Sequence, residues 1–384
     1  CFFLLPAYYL TQQEKTRRSI MTLAGMWLVQ FISIRLLVFY TLFWLVVTIL
    51  QNHIARREAA GRATGLDISL FLVLLPMLAW KIMGDDFTWV VNDGLSTLLS
   101  YISAPLWEID MTRSLAVTVG LSFATFRALD LLIKTHIGKI SALTLDRVLF
   151  YGFFPPIQVT GPITEYEDLQ KQNAKPCPQN ITDGLMRIGI GAVKCFGLAS
   201  LLQNNAGIFT SPDSLSVGEL WLRLIAYSWY FYLNFAGYAD IAIGTGKMFG
   251  FRMKENFNFP FFQQNIRDFW NNWHMTLSHW AQRNVFVPAG GYRKEKQYFA
   301  IALTILVIAL WHDISPGMIV FAAWHFVALA LHRKFGDKLP NHHQWQKICW
   351  IALTYLTVLL SFPLLSADLE SALVFYQHLF GVGT

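Results

Sequence analysis

Long apolar runs broken by short polar segments set the rhythm of this chain. Cys1–Leu10 is an apolar start, and Thr16-Arg17-Arg18 is the first polar break. Ile20–Leu50 is apolar throughout except for Arg35, a pattern that fits two shorter helices or one long tilted one. Arg56–Arg62 reads as a basic loop, Leu66–Met83 as a span ended by Asp85-Asp86, and Val90–Trp107 as a mixed, re-entrant segment. Leu115–Ile133 spans and carries Ser122, Thr125, Arg127 and Asp130. Pro155-Pro156 excludes a regular helix through Val148–Val159. Ile163–Asp183 is the main polar segment, a loop or a surface helix. Leu185–Leu202 and Leu220–Phe249 are further apolar runs, and the second contains Asn234, Tyr238 and Asp240. Ala300–Trp311 and Met318–Leu331 form an apolar pair, with Ser315 as an N-cap and Pro316 in the first turn of the second helix. Ile348–Leu365 is the last clear span, and Ala367–Phe380 is short and amphipathic.

Asn256–Arg293 is built differently. Asn258-Phe259-Pro260 cannot continue a helix. The spacing then predicts a helix over Ile266–Gln282, with Phe269, Trp273, Leu277 and Trp280 on one face. Asp268, Asn271, Asn272, His279, Gln282 and Arg283 fall on the other. Half aromatic and half polar, with Trp at its rim, such a helix suits the membrane–water interface, near-parallel to the membrane on the cytoplasmic side.

Composition turns this pattern into a class. Of 384 residues 54% are hydrophobic and only 14% charged, against about 25% charged in soluble domains. The chain therefore reads as an all-α polytopic membrane protein. About nine to eleven membrane helices would surround a central tunnel, with interfacial and re-entrant helices, in one integral-membrane domain over 1–384. The net charge of +6 sits in short Lys/Arg clusters between apolar runs, which argues for membrane lipid rather than nucleic acid. Cys1, Cys177, Cys195 and Cys349 are scattered singly, without metal or disulfide spacing. The chain begins at Cys1 rather than Met, leaving room for missing N-terminal residues, and shows no cleavable signal peptide.

Candidate chemistry concentrates on histidine. Tyr298–Trp311 spans about 21 Å at 1.5 Å per residue, against a hydrocarbon core of about 30 Å. If Arg293–Lys296 marks the cytoplasmic surface, His312 ends up inside the bilayer, facing a cavity as a base or bonded structurally to a neighbouring helix. His325 lies nearer the cytoplasmic side, as a second polar group on the same tunnel or as a structural histidine. His274 and His279 do not share a helix face and make no metal pair. Arg127, Asp130, Tyr238 and Asp240 are intramembrane polar groups that need internal partners. No GxSxG elbow, phosphate loop or dinucleotide motif occurs.

At these residues the chain resembles the membrane-bound O-acyltransferase family, in its bacterial branch of alginate O-acetyltransferases and teichoic acid D-alanyltransferases. The resemblance is carried by VGLSFATFRALD (Val119–Asp130), FFPPIQVTGPI (Phe153–Ile163) and the run Asn234–Phe261. It continues through DFWNNWHMTLSHW (Asp268–Trp280), VFVPAGGYRK (Val285–Lys294), Leu310–His312 and FYQHLFG (Phe375–Gly381). Four positions depart from the family pattern: Asp313 for Gly, Ala239 for Ser, Asn284 for Asp, and Phe321-Ala322 for Trp-Gly.

The resemblance implies His312 as the catalytic histidine and His325 as the second. Tyr238, Asp240, Asn271, Trp273, His274 and Arg283 become the candidate substrate-binding residues. It implies acyl transfer, without metal or bound cofactor, from a cytoplasmic thioester donor, acetyl-CoA or an acylated carrier protein. The acceptor would be hydroxyls of an exported cell-surface polysaccharide, with a periplasmic or extracellular accessory acyltransferase as partner, at the bacterial inner membrane. The VFVPAGGYRK loop favours acetyl. D-alanyl transfer to a teichoic-acid-like polymer is the alternative within the family, and a proton-coupled transporter the alternative outside it.

Overall fold

The computed structural model describes residues 4–32, 34–61, 66–83, 113–158, 160–170, 177–205, 208–209, 212, 215–336 and 343–382. The expected re-entrant segment Val90–Trp107 lies outside them. The described residues are helical, with no strand among them. In chain order the α-helices are α1 (Leu5–Leu10), α2 (Glu14–Ile32), α3 (Ile34–Ala59), α4 (Leu66–Met83), α5 (Arg113–His136), α6 (Leu145–Gly152) and α7 (Tyr166–Gln170). Then come α8 (Pro178–Ala192), α9 (Ala199–Leu202), α10 (Val217–Met248), α11 (Ile266–Asn272), α12 (Met275–Ala281), α13 (Gln297–His312), α14 (Pro316–Phe335), α15 (Gln344–Leu359), α16 (Phe362–Ser366) and α17 (Leu369–Leu379). A π-helical segment, Val193–Leu198, joins α8 to α9.

Among the described residues four stretches are long and apolar enough to cross a membrane: Leu36–Ala59, Pro178–Asn205, Pro316–Phe335 and Gln344–Ser366. Ile68–Met83 and Gln297–His312 are shorter apolar helices. The apolar run after Ile20 is two helices, and Ser315-Pro316 opens α14 as expected, although the Ser315 side chain makes no capping bond.

The chain divides into two compact units, Cys1–Met186 with Ala242–Met253, and Arg187–Ile241 with Lys254–Thr384. In the first, the buried Arg127 donates to the carbonyls of Tyr151 (2.7 Å) and Gly152 (3.3 Å). Its guanidinium also lies 5.3 Å from the Trp44 ring centroid. Asp130 pairs with Lys134 at 2.9 Å. Both groups thus find internal partners, which a buried charge requires.

The second unit holds every candidate site residue. Here the expected single helix over Ile266–Gln282 is corrected. It breaks between α11 and α12, with Trp273 extended and His274 in the left-handed region at φ 41°. Asn265 caps α11 by accepting from the Asp268 amide at 2.9 Å. After α12 the chain continues as a π-turn, Gln282–Phe286. The aromatic face is as expected, and it packs into the protein core. Phe269, Trp273, Leu277 and Trp280 are all buried. Trp273 stacks against Phe269 and Phe261, with centroids 5.6 and 5.8 Å apart. Burying aromatic area here offsets the backbone strain of two left-handed non-glycine residues, Phe259 and His274, each costing about 1–3 kcal/mol.

Candidate active site

His312 is the last residue of α13, which packs along α14. It is exposed, and its ring lies 4.4 Å from that of Trp311. Trp311 in turn meets the His274 ring at 6.1 Å, edge to face. α13 has 16 residues, or about 24 Å, shorter than a hydrocarbon core of about 30 Å. Asp313 is extended at φ −159°, a conformation any residue adopts, so the departure from glycine costs no strain there.

His274 is fully buried and its hydrogen bonds fix its tautomer. Asn256 Oδ1 receives the backbone N–H of Thr276 (3.3 Å) and the Thr276 hydroxyl (2.9 Å). An atom that accepts an amide N–H is the carbonyl oxygen. The His274 Nδ1 that approaches it at 3.1 Å must therefore carry a proton. Nε2 is left with its lone pair. Phe235 packs edge-on at 4.8 Å. His274 lies between helices, outside the candidate spans, and burial, reinforced by the charge of His312, pushes its pKa down from 6.5 to about 3. It is a neutral imidazole at physiological pH.

His325 is placed differently. The Ser361 hydroxyl donates to the Val358 carbonyl at 2.7 Å and so accepts from His325 Nε2 at 3.0 Å. The ring is clamped by Phe321 (4.4 Å) and Trp270 (5.2 Å). Phe321, one of the departures from the family pattern, is thus a wall of the His325 site.

A cavity of about 470 Å³ runs beside α13. Gln297, Ile301, Thr304 and Ile308 line it along one helix face, so it extends to one turn short of His312. Asn271, Trp270, Ser278 and Gln282 form the facing wall, and Trp270 separates the cavity from His325. Arg267 and Arg333 give it a cationic lining, with His279 and His332 beside them.

The candidate residues therefore divide. Asn271 lines the cavity, Trp273 is core, and His274 lies beside Trp311-His312. Arg283 is half-buried in the π-turn, where Asn284 reaches back to the Trp280 carbonyl at 3.1 Å. Tyr238 packs edge-on against Phe196 at 6.0 Å. Asp240 is held at 2.6 Å by both Arg187 and Lys194, and Arg187 also forms a two-bond pair with Glu255. This ion-pair hub accounts for Asp240 as structure. Gly191 and Gly237 permit it: a Cβ on Gly191 would lie 2.6 Å from the Gly237 carbonyl oxygen.

Sequence reasoning missed Asn256, Arg187, Lys194, Arg267, His332 and Arg333. Only Asn256, inside the quoted motif run, carried a local signal. Among the described residues Asp130, Glu165 and Glu167 bring oxygens within 4.8 Å of one another. The Lys134 ammonium bonds all three and takes the place a cation would fill.

The profile of the membrane-bound O-acyltransferase family matches residues 132–352. The chain belongs to the membrane-bound O-acyltransferase family. It is therefore a multi-pass membrane protein. It is 30% identical over 304 residues to a probable alginate O-acetylase of Pseudomonas aeruginosa, covering 76% of this chain and 57% of that protein. A peptidoglycan O-acetyltransferase of Helicobacter pylori is 32% identical over 62% of this chain and 47% of its own length. A teichoic acid D-alanyltransferase of Streptococcus thermophilus is 26% identical over 80% of this chain and 85% of its own length. The chain spans about three-fifths of the length of the alginate O-acetylases it matches.

Proposed function

We propose that this chain is an O-acyltransferase, forming one integral-membrane domain that moves an acetyl group from a thioester donor to hydroxyls of a cell-surface polysaccharide. The observation that carries this reading is the cavity along α13, cationic in part of its lining and ending one turn short of His312. A thiol-linked donor with phosphates, acetyl-CoA or an acylated carrier protein, fits that combination of charge and length. The donor would enter from the cytoplasm, and the acceptor hydroxyl would approach His312 from its exposed side. The imidazole takes the hydroxyl proton as the oxygen attacks the thioester carbonyl. The C–O bond forms, the C–S bond breaks, and the proton passes to the departing sulfur. His274, neutral and fixed in its tautomer beside Trp311, positions this end of α13. His325 braces α14 against Trp270 from behind the cavity wall.

Acetyl is preferred because the relatives named for O-acetyl transfer include the two at 30% and 32% identity. D-alanyl transfer to a teichoic-acid-like polymer is the second reading, supported by the D-alanyltransferase of which the chain covers 85%. An accessory acyltransferase on the outer side of the inner membrane would complete delivery in either case.

The test is acyl transfer by purified protein given acetyl-CoA or an acylated carrier. His312→Ala and His312→Gln should each lower the rate by about 10²–10⁴-fold while the protein remains folded. Glutamine can hydrogen-bond but cannot take the proton. Full activity in a folded His312→Gln protein would remove the base assignment. Histidine-dependent proton flux without thioester turnover would replace the enzyme by a transporter.

A further inference from the structure

A second cavity, of about 700 Å³, lies between α14 and α15. Trp324, Val327, Leu331 and Phe335 line it from α14, and Trp350 and Leu353 from α15. Both helices fall in candidate membrane spans, so this apolar groove faces hydrocarbon. Trp324 ties the helices together across it, donating its indole N–H to the Thr357 carbonyl at 2.9 Å. From Trp324 to Phe335 the groove follows α14 for about 16 Å.

Its far end is cationic. The Lys334 ammonium is held 5.2 Å from the centroid of the Phe335 ring, which lines the groove. His332 lines the same end, and Lys347 lies one turn before Trp350. An apolar trough closed by lysines matches an apolar chain joined to an anionic head. Small residues, Ala323, Ala328, Thr354 and Thr357, also line the groove and would admit a partner helix, but an anionic head is what answers the charge at its end.

We propose that this groove binds one anionic membrane phospholipid, with an acyl chain along α14 and the headgroup phosphate at Lys334 and Lys347. The lipid fills the space between two spans that the Trp324–Thr357 bond bridges. It thereby braces α14, the helix that carries His325 and one wall of the first cavity.

The test is native mass spectrometry of the protein released from mixed micelles of equal parts phosphatidylglycerol and phosphatidylcholine. The wild type should retain one phosphatidylglycerol. Val327→Trp, which fills the groove, should lose it, with an unchanged helical circular-dichroism spectrum as the folding control. Lys334→Gln should keep a bound lipid but lower the preference for phosphatidylglycerol about fivefold. If Val327→Trp does not fold, Ala323→Phe, on the same groove wall, takes its place. A wild type that retains no phospholipid, or a folded groove-filled variant that retains as much as wild type, would overturn the proposal. So would retention of a polypeptide in place of lipid.

Discussion

His274 shows how much chemistry one residue can hold without a metal or a charge. Its backbone is left-handed, its Nδ1–H is committed to Asn256, and its pKa is pushed down by burial to about 3. The sign of the consequence is fixed. The unfolded chain takes up a proton at this histidine below about 6.5, whereas the native protein does not until about 3. Stability is therefore fully present above 6.5 and is lost as pH falls through that window. Unfolding midpoints measured across it should decline more steeply for wild type than for His274→Gln, which has no proton to gain. Parallel declines would show that other groups set the acid sensitivity.

At the scale of elements, close helix contact decides what charge can be buried. A Cβ at Gly191 would meet the Gly237 carbonyl oxygen at 2.6 Å and the Asp240 Cβ at 3.0 Å, whereas one at Gly189 would meet nothing within 4 Å. Gly191→Val should therefore force α8 and α10 apart, stretch the bonds from Arg187 and Lys194 to Asp240, and cost about 1–3 kcal/mol. Gly189→Val should leave the unfolding midpoint near wild type. Equal effects of the two would mean that the contact does not govern stability. Much at this scale was legible in the sequence. The helical spacing correctly put Phe269, Trp273, Leu277 and Trp280 on one buried face, and the bounds of α4, α10, α13 and α14 follow the apolar runs. The break at Trp273-His274 was not legible, because neither glycine nor proline marks it and left-handed histidine is uncommon. The partners of Asp240 were not legible either. They lie 53 and 46 residues away in sequence, and only tertiary packing brings them there. The cationic lining of the cavity beside α13 was not legible, because Arg267 and Arg333 come from two helices whose register no local pattern sets.

For the whole molecule, the proposed function requires an anionic donor to reach a cavity in a protein made mostly of apolar helices. Arg293, Lys294 and Lys296 are exposed in the segment just before α13, whose first residue, Gln297, lines the cavity. With Arg267 and Arg333 on the cavity itself, they outnumber Glu295 and leave a net positive field beside the cavity. Such a field raises the encounter rate with an acidic carrier protein or the phosphates of CoA, and salt screens it. Reversing Arg293 and Lys294 to Glu should raise the apparent donor KM several-fold and flatten its dependence on ionic strength. Because neither residue approaches His312, kcat at saturating donor should stay near wild type. If KM is unchanged while the protein inserts normally, these cations serve the anionic lipid surface instead. A fall in kcat alone would place their effect on α13 itself, the helix that carries His312.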